Sequence, residues 1–493
     1  MKNRMLTVLH IVIWVAGTAF LITGSFHGNL WFDETYSAGI INHNLFDIIR
    51  ISSGDVHPPF YYILLKVFSA VFGKSLLSLR LFSVLFASLL AGLGFTHLRR
   101  DFGEKLGFLY TTLMFLFAVT FKYANEIRMY TLAPYLVTLM AIYAYRYYKS
   151  GFADKKSGIL FLVFGILGAY THYYAFAAAG AVNLLLLLHC KKSGMLNIWK
   201  KTAVIQLAAY IPGFYFLLTQ TTRVVGGFWI SMRYPDFVLN SLSFFMIGDV
   251  PEDAVGLTEV SAIVFNALAF VFWSVCVFYY IRYYKKNPQK SEPAALTLKV
   301  LAIIIMFYFA VSLIRPLYYV RYLTVLSGLI VFFLAFAIDR ISKPIIRAAL
   351  LTLITVVLVL RVVPLYSNYY SPDNARLDSF VSEHVRENDI IVSDNIGLIA
   401  VLAVKYPDID MYFYNRDHWT VEKAYEAYMP QLKTVRDLDE VLEHEGRVWV
   451  LKNYFLGSIT EYILENSDKE VAEHYETFVL PYHNLEFGFT LME

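Results

Sequence analysis

HPPFYYILLKVFSAVFG, residues 57–73, is the stretch on which the topology of this chain turns. It is apolar enough to pass for a membrane span. It is also short for one, opens on Pro58 and Pro59, and carries Lys66, whereas a spanning helix takes about 20 predominantly apolar residues. Counting it as a span also puts every later basic loop on the wrong side. The stretch is therefore read as an interfacial helix on the outer surface, with the two prolines at its start.

The rest of the chain is consistent with that reading. Of its 493 residues, 58% are hydrophobic and only 16% are charged, against roughly 25% charged in soluble domains. Eleven spans are expected, near residues 6–24, 81–98, 105–121, 129–147, 158–174, 175–190, 202–220, 259–281, 297–314, 322–338 and 347–364. The run MKNRMLTVLHIVIWVAGTAFLITGSF at the start is read as an uncleaved first span, because it is long, lacks an A-x-A site and is followed by further spans. With the N-terminus in the cytoplasm, the inner loops are RRDFGEK, RYYKSGFADKK, HCKKSGMLNIWKK, RYYKKNPQK and DRISKPIIR, all rich in Lys and Arg. The expected product is a multi-pass protein of the cell membrane, in contact with the lipid bilayer.

The first outer loop, about residues 25–80, then holds a pair of surface helices, and residues 1–365 form the membrane domain. Beyond YSNYYSPDNARLDSF the composition changes. NDIIVSD, DIDMYFYN, GRVWVLK and ETFVLPY resemble short strands, and VEKAYEAYMPQL and DLDEVLEHEG resemble helices. Residues 366–493 are thus expected to form a small α/β domain, extracytoplasmic by the parity of the spans. A net charge of +3 is too small to point to nucleic acid. Cys190 and Cys276 fall in or beside apolar segments and read as small hydrophobes. Most of the 37 tyrosines read as interfacial anchors.

Ionisable groups at membrane depth or its edge are costly, and each is a functional candidate. A set of them falls at the outer ends of the spans: Asp33 and Glu34 in WFDETYSAGI, Asp55, His57, Arg80, Glu126 and Arg128 in NEIRMY, His172 in THYYAF, and Arg315 and Arg321 in RPLYYVRY. Taken singly, each has the plain reading of a snorkelling residue or a helix cap. Taken together, carboxylates and several cations at one depth suit a phosphate-bearing substrate with a general base beside it. Arg holds phosphate through a rigid fork of donors, and a carboxylate can take a hydroxyl proton.

WFDETYSAGI, HPPFYYILLKVF, NEIRMYTL, THYYAF and YYVRYL, in that order, resemble the GT-C glycosyltransferases over about residues 5–364. The branch they look most like contains bacterial proteins related to protein O-mannosyltransferases (family 39-type) and to the aminoarabinose transferase that modifies lipid A. The resemblance implies an α-helical polytopic membrane fold of GT-C type, with outer interfacial helices and a C-terminal α/β domain. It also implies transfer of a hexosyl or pentosyl group from a polyprenyl-phosphate-linked donor to an acceptor on the outer face. Asp33, with Glu34 beside it, corresponds to the proposed catalytic base. Glu126, Arg128 and Tyr130 match an outer-turn motif, His57 lies in the HPP stretch, and Arg321 would suit the donor phosphate. The substrate-binding set is then Tyr36, His57, Arg80, Glu126, Arg128, Tyr130, His172, Arg315 and Arg321. The chain departs from its relatives at Thr35, where some carry Arg, and at Val56-His57, where the lipid-A branch has an acidic-then-basic pair.

No cofactor or metal site is expected. Neighbours on a helix point about 100° apart, so Asp33 and Glu34 do not chelate symmetrically, and two isolated histidines are weak evidence for zinc. A lipid-linked-sugar flippase or transporter is the main alternative, but such proteins place charges near the midplane, often in internal repeats, and no repeat is present here. A glycan ligase or polymerase would not need the DE-then-HPP order, and eleven spans are excessive for a receptor anchor.

Overall fold

A computed structural model describes residues 2–226, 230, 234–248, 259–415, 422–452, 458–481 and 485–493. The chain divides into two compact units that do not follow chain order. One comprises Met1–Ser25, Val56–Tyr61 and Arg80–Pro364; the other comprises Phe26–Asp55, Tyr62–Leu79 and Leu365–Glu493. One boundary between the units falls between Pro364 and Leu365. The grouping of most of the first outer loop with the C-terminal residues was not legible in sequence.

The first unit is helical. Every stretch expected to span is largely helical, and among the described residues seven helices are long and apolar enough to cross a membrane. The count rises to nine if two bent pairs are each taken as one span. Leu132–Lys149, with Arg146 and Lys149 in its last turn, and the 15-residue Lys155–Ala169 fall outside that count. One bent pair, Glu104–Leu116 and Ala118–Ala124, turns by 66° where Phe117 adopts an extended backbone. The other, Leu196–Ala209 and Ile211–Thr221, turns by 60°. There Pro212 starts the second helix, and its ring and missing N–H prevent the first from continuing through it. Tyr234–Ile247 is a further helix beyond the expected spans.

Burial sorts these helices. Lys2–Thr23 exposes Met5, Val8, Val12 and Val15, which in water would be a liability and against lipid is not. Ser327–Asp339 is apolar on all sides and buried from Ser327 to Ile338. A helix of that composition belongs inside a bundle. Gly328 is what allows its approach to Leu132–Lys149, since an added Cβ would overlap the Thr138 side chain.

The segment read as the first outer loop contains three helices, Phe32–Ile40, Leu45–Ser52 and Phe60–Phe72, rather than the expected pair, all but Phe60 and Tyr61 in the second unit. The division between Leu45–Ser52 and its neighbour comes from Asn44, whose side chain accepts from the Asp47 N–H at 2.9 Å and starts a new helix. Phe60–Phe72, only 13 residues long, is too short to span. Its Lys66 donates to the Ile41 carbonyl at 2.9 Å, which accounts for a cation within an otherwise apolar helix. Gly39 brings Phe32–Ile40 close to a later turn, because a Cβ there would lie 2.6 Å from the Tyr428 carbonyl carbon.

The same unit carries a six-stranded sheet: β1 (Ile390–Ser393), β2 (Asp410–Tyr414), β3 (Leu432–Val435), β4 (Val448–Lys452), β5 (Val471–Leu480) and β6 (Leu485–Met492), in the order β3-β2-β1-β4-β6-β5. The pairs β1–β2, β2–β3 and β1–β4 are parallel, while β4–β6 and β5–β6 are antiparallel. Four of the six were expected. The start of VEKAYEAYMPQL (Val421) and the end of ETFVLPY (Tyr482) lie outside the described residues. Of the rest of the former stretch, Glu422–Tyr425 is helical and Leu432 begins β3.

Asp389, at the foot of β1, locks this sheet. Its carboxylate accepts from Arg447 Nε at 3.0 Å and Nη2 at 2.7 Å, from Trp449 Nε1 at 2.8 Å and from the Arg386 N–H at 2.8 Å. Burial pushes this carboxyl up, but the bonds from Arg447, Arg386 and Trp449 together outweigh burial and hold it below the usual carboxylate range. Asp389→Ala removes the acceptor of four hydrogen bonds, leaves Arg447 with Glu493 at 3.7 Å as its nearby carboxylate, and is expected to cost about 1–3 kcal/mol. The cost is measured as earlier loss of protease resistance of the C-terminal residues on heating, and an unchanged profile would refute it.

Candidate functional site

The two adjacent acids have different local roles. Glu34 is fully buried, and its Oε2 accepts the Trp31 N–H at 2.9 Å while its own N–H donates to the Trp31 carbonyl at 2.9 Å. It therefore closes the first turn of Phe32–Ile40, the plain capping role. Asp33, one position earlier, is half-buried in that turn. Tyr36 lies within the same unit against Tyr62 and Tyr428, with ring centroids at 5.4 and 6.2 Å.

The other candidates belong to the first unit, and the structure brings most of them together. NEIRMY forms a buried non-helical turn between Ala118–Ala124 and Leu132–Lys149. Irregular backbone at such a depth needs polar partners, and it has them. Asn125 donates to the Phe121 carbonyl at 2.9 Å and accepts from Ser25 at 2.6 Å; Ser83 donates to the Glu126 carbonyl at 2.6 Å. Lys122 approaches the Glu126 carboxylate at 3.9 Å. Arg80 lies one helical turn before Ser83 on Leu76–Leu93 and is fully buried.

His57 and His172 meet with ring centroids 5.3 Å apart. Tyr130 approaches His172 at 6.1 Å. Arg128 and Arg321, both buried, act electrostatically on this pair, Arg128 on both rings and Arg321 on His57. The Arg321 guanidinium lies 5.0 Å from the centre of the Tyr319 ring. Arg315 sits half-buried in the turn that follows Glu292–Ser312.

Two residues were missed in sequence. Tyr322 packs against His172 at 5.2 Å and His57 at 6.3 Å. Gln220 donates to the His57 carbonyl at 3.2 Å and accepts from the Tyr173 hydroxyl at 2.5 Å. The signal for Gln220 was present, since it is an amide within an apolar helix. Among the described residues no group of three or more His, Cys, Asp or Glu is arranged to hold a metal ion.

Burial, then the charges of Arg128, His172 and Arg321, pushes His57 well below its ordinary value. His172 Nδ1 accepts the Tyr174 N–H at 3.1 Å, whereas His57 Nδ1 and His172 Nε2 are buried with no hydrogen-bond partner among the described residues. Buried polar atoms are seldom left so. Two imidazoles beside two guanidiniums can bind hydroxyls and an anion together.

A pH effect follows. An unfolded His titrates near 6.5, so between that pH and the depressed native value of His57 the unfolded chain binds more protons, and stability rises with pH across that window. The stabilising contribution is present above about pH 6.5 and is lost progressively below it. The thermal midpoint in detergent is expected to fall from pH 7 to pH 5, with a smaller fall in His57→Asn. Equal pH slopes for both proteins would contradict this.

No protein-family model matches the chain, and no curated protein matches it. Among solved structures, ArnT from Cupriavidus metallidurans in the apo state aligns with a TM-score of 0.61 at 12% identity, covering 98% of this chain and 97% of that one. The same protein bound to undecaprenyl phosphate aligns with a TM-score of 0.61 at 11% identity and the same coverage. At this identity the likeness is one of fold: the chain has an ArnT-like, mostly helical membrane-protein fold with a small C-terminal sheet.

Proposed function

We propose that this multi-pass membrane protein is a glycosyltransferase that moves a sugar from a polyprenyl-phosphate donor to an acceptor hydroxyl on the outer face of the membrane, with its N-terminus in the cytoplasm. The observation that carries the reading is the buried His57–His172 pair beside Arg128 and Arg321, in a fold shared with a protein solved with undecaprenyl phosphate. The arginines suit the phosphate, because a guanidinium keeps its charge and presents paired donors. The imidazoles suit sugar hydroxyls.

In this reading Asp33 takes the proton of the acceptor hydroxyl. The hydroxyl oxygen attacks the anomeric carbon, the bond from that carbon to the phosphate oxygen breaks, and the lipid phosphate leaves with the electron pair. Arg128 and Arg321 stabilise the charge that grows on it. A single displacement inverts the anomeric configuration. Glu34 supports the turn that presents Asp33.

The test uses proteoliposomes containing the full chain and radiolabelled polyprenyl-phosphate sugars. Label joined covalently to a new acceptor, with inverted configuration, is the expected result. Label that crosses the bilayer with no new bond would overturn the reading and favour a flippase.

A further inference from the structure

The first unit also holds a chamber at the end of its helices opposite the His57–His172 pair. A cavity of about 560 Å³ opens among Leu132–Lys149, Tyr173–Lys192, Glu292–Ser312 and Ser327–Asp339. That lies within the roughly 300–1,000 Å³ of small-molecule sites. Its wall is apolar and buried, with Ile142, Leu186, Leu329 and Phe332 each under a tenth exposed. Its charged lining comprises Asp101, Lys192, Glu292 and Lys299.

The charges of that lining do not cancel. Asp101 is held by Arg146 through two bonds, at 2.9 and 3.1 Å. Glu292 accepts from the Tyr148 hydroxyl at 2.7 Å and from Lys149 at 3.0 Å. Both carboxylates of the lining are thus neutralised by neighbours. Lys192 and Lys299, which also line the cavity, are exposed and make no ion pair among the described residues. Lys299 stands two turns into Glu292–Ser312, where a long side chain can reach along an apolar surface to a headgroup. An apolar chamber with a net cationic rim between membrane helices matches a lipid with one negative headgroup and a chain to bury, and basic pockets of this kind hold anionic lipid headgroups.

We infer that this cavity binds one anionic glycerophospholipid, with an acyl chain in the chamber and the phosphate at Lys192 and Lys299. The site is separate from the transfer chemistry and does not depend on it.

The test is native mass spectrometry of the purified full chain in detergent, titrated with phosphatidylglycerol and, separately, phosphatidylcholine. Two lysines near the headgroup predict a preference for phosphatidylglycerol of about 30-fold. Lys192→Gln with Lys299→Gln alters only exposed side chains and is expected to bring the two lipids to near-equal retention. Ala141→Trp, which fills the chamber, is expected to remove bound lipid of either kind. Equal retention of both lipids by the unaltered chain overturns the proposal, as does an undiminished preference in the double Gln variant. Displacement of phosphatidylglycerol by an equal concentration of polyprenyl phosphate would also overturn it, assigning the cavity to a carrier lipid instead. None of these readouts uses sugar transfer, so they stand or fall apart from the proposed activity.

Discussion

Asp33→Asn is expected to lower sugar transfer by about 10²–10⁴-fold, the usual contribution of a positioned general base, with little change in protein yield or thermal midpoint. The substitution keeps the shape of the side chain and removes its capacity to take a proton. The contrast with Glu34 makes the test sharp. Glu34 is buried and its carboxylate accepts the Trp31 N–H. Glu34→Gln retains an oxygen that can accept the same bond, so transfer is expected to survive it. Glu34→Ala removes the bond, and a lost cap costs about 0.5–2 kcal/mol, which would be read as a lower thermal midpoint. If Asp33→Asn transfers sugar at the rate of the unaltered chain, the base has been assigned wrongly. If Glu34→Gln is the variant that fails while Asp33→Asn does not, the two acids exchange roles.

Arg321→Gln is expected to reduce transfer by about 10²–10³-fold, the cost of removing one preorganised group that stabilises transition-state charge. Arg321 is buried at the start of the 3₁₀ segment Val320–Leu326, and its charge bears on His57. Arg321→Lys preserves the charge but not the two-pronged geometry and should fall between Gln and Arg. A purely structural role would lower the thermal midpoint of both variants and leave the rate of the surviving folded protein unchanged. A role toward the leaving phosphate lowers kcat while the midpoint holds for Arg321→Lys. Full activity in Arg321→Gln would remove Arg321 from the chemistry.

The membrane part of the fold was readable because hydropathy is a property of a window. Each expected span is largely helical, since in lipid a backbone satisfies its own hydrogen bonds within a helix. The reading of HPPFYYILLKVFSAVFG as a short helix also held, its 13 residues being too few to cross. The sheet was harder. β3, with two exposed residues in four, lacks an apolar run, and β6 carries its signal only as the alternation of Leu485, Phe487, Phe489 and Leu491 about Gly488. Their strand character comes from pairing with β2, β4 and β5.

What the sequence alone determined is the helical membrane class and four of the six C-terminal strands. Tertiary structure decided which of the candidate residues touch. His57 and His172 stand more than a hundred positions apart in the chain, and only the packing of the first unit brings their rings to 5.3 Å. Tertiary structure also grouped Phe26–Asp55 and Tyr62–Leu79 with the C-terminal residues, and local backbone geometry assigned Glu34 to its cap. The physical reason is that burial and helix formation add up along neighbouring residues, whereas the meeting of two distant side chains depends on how every helix between them packs.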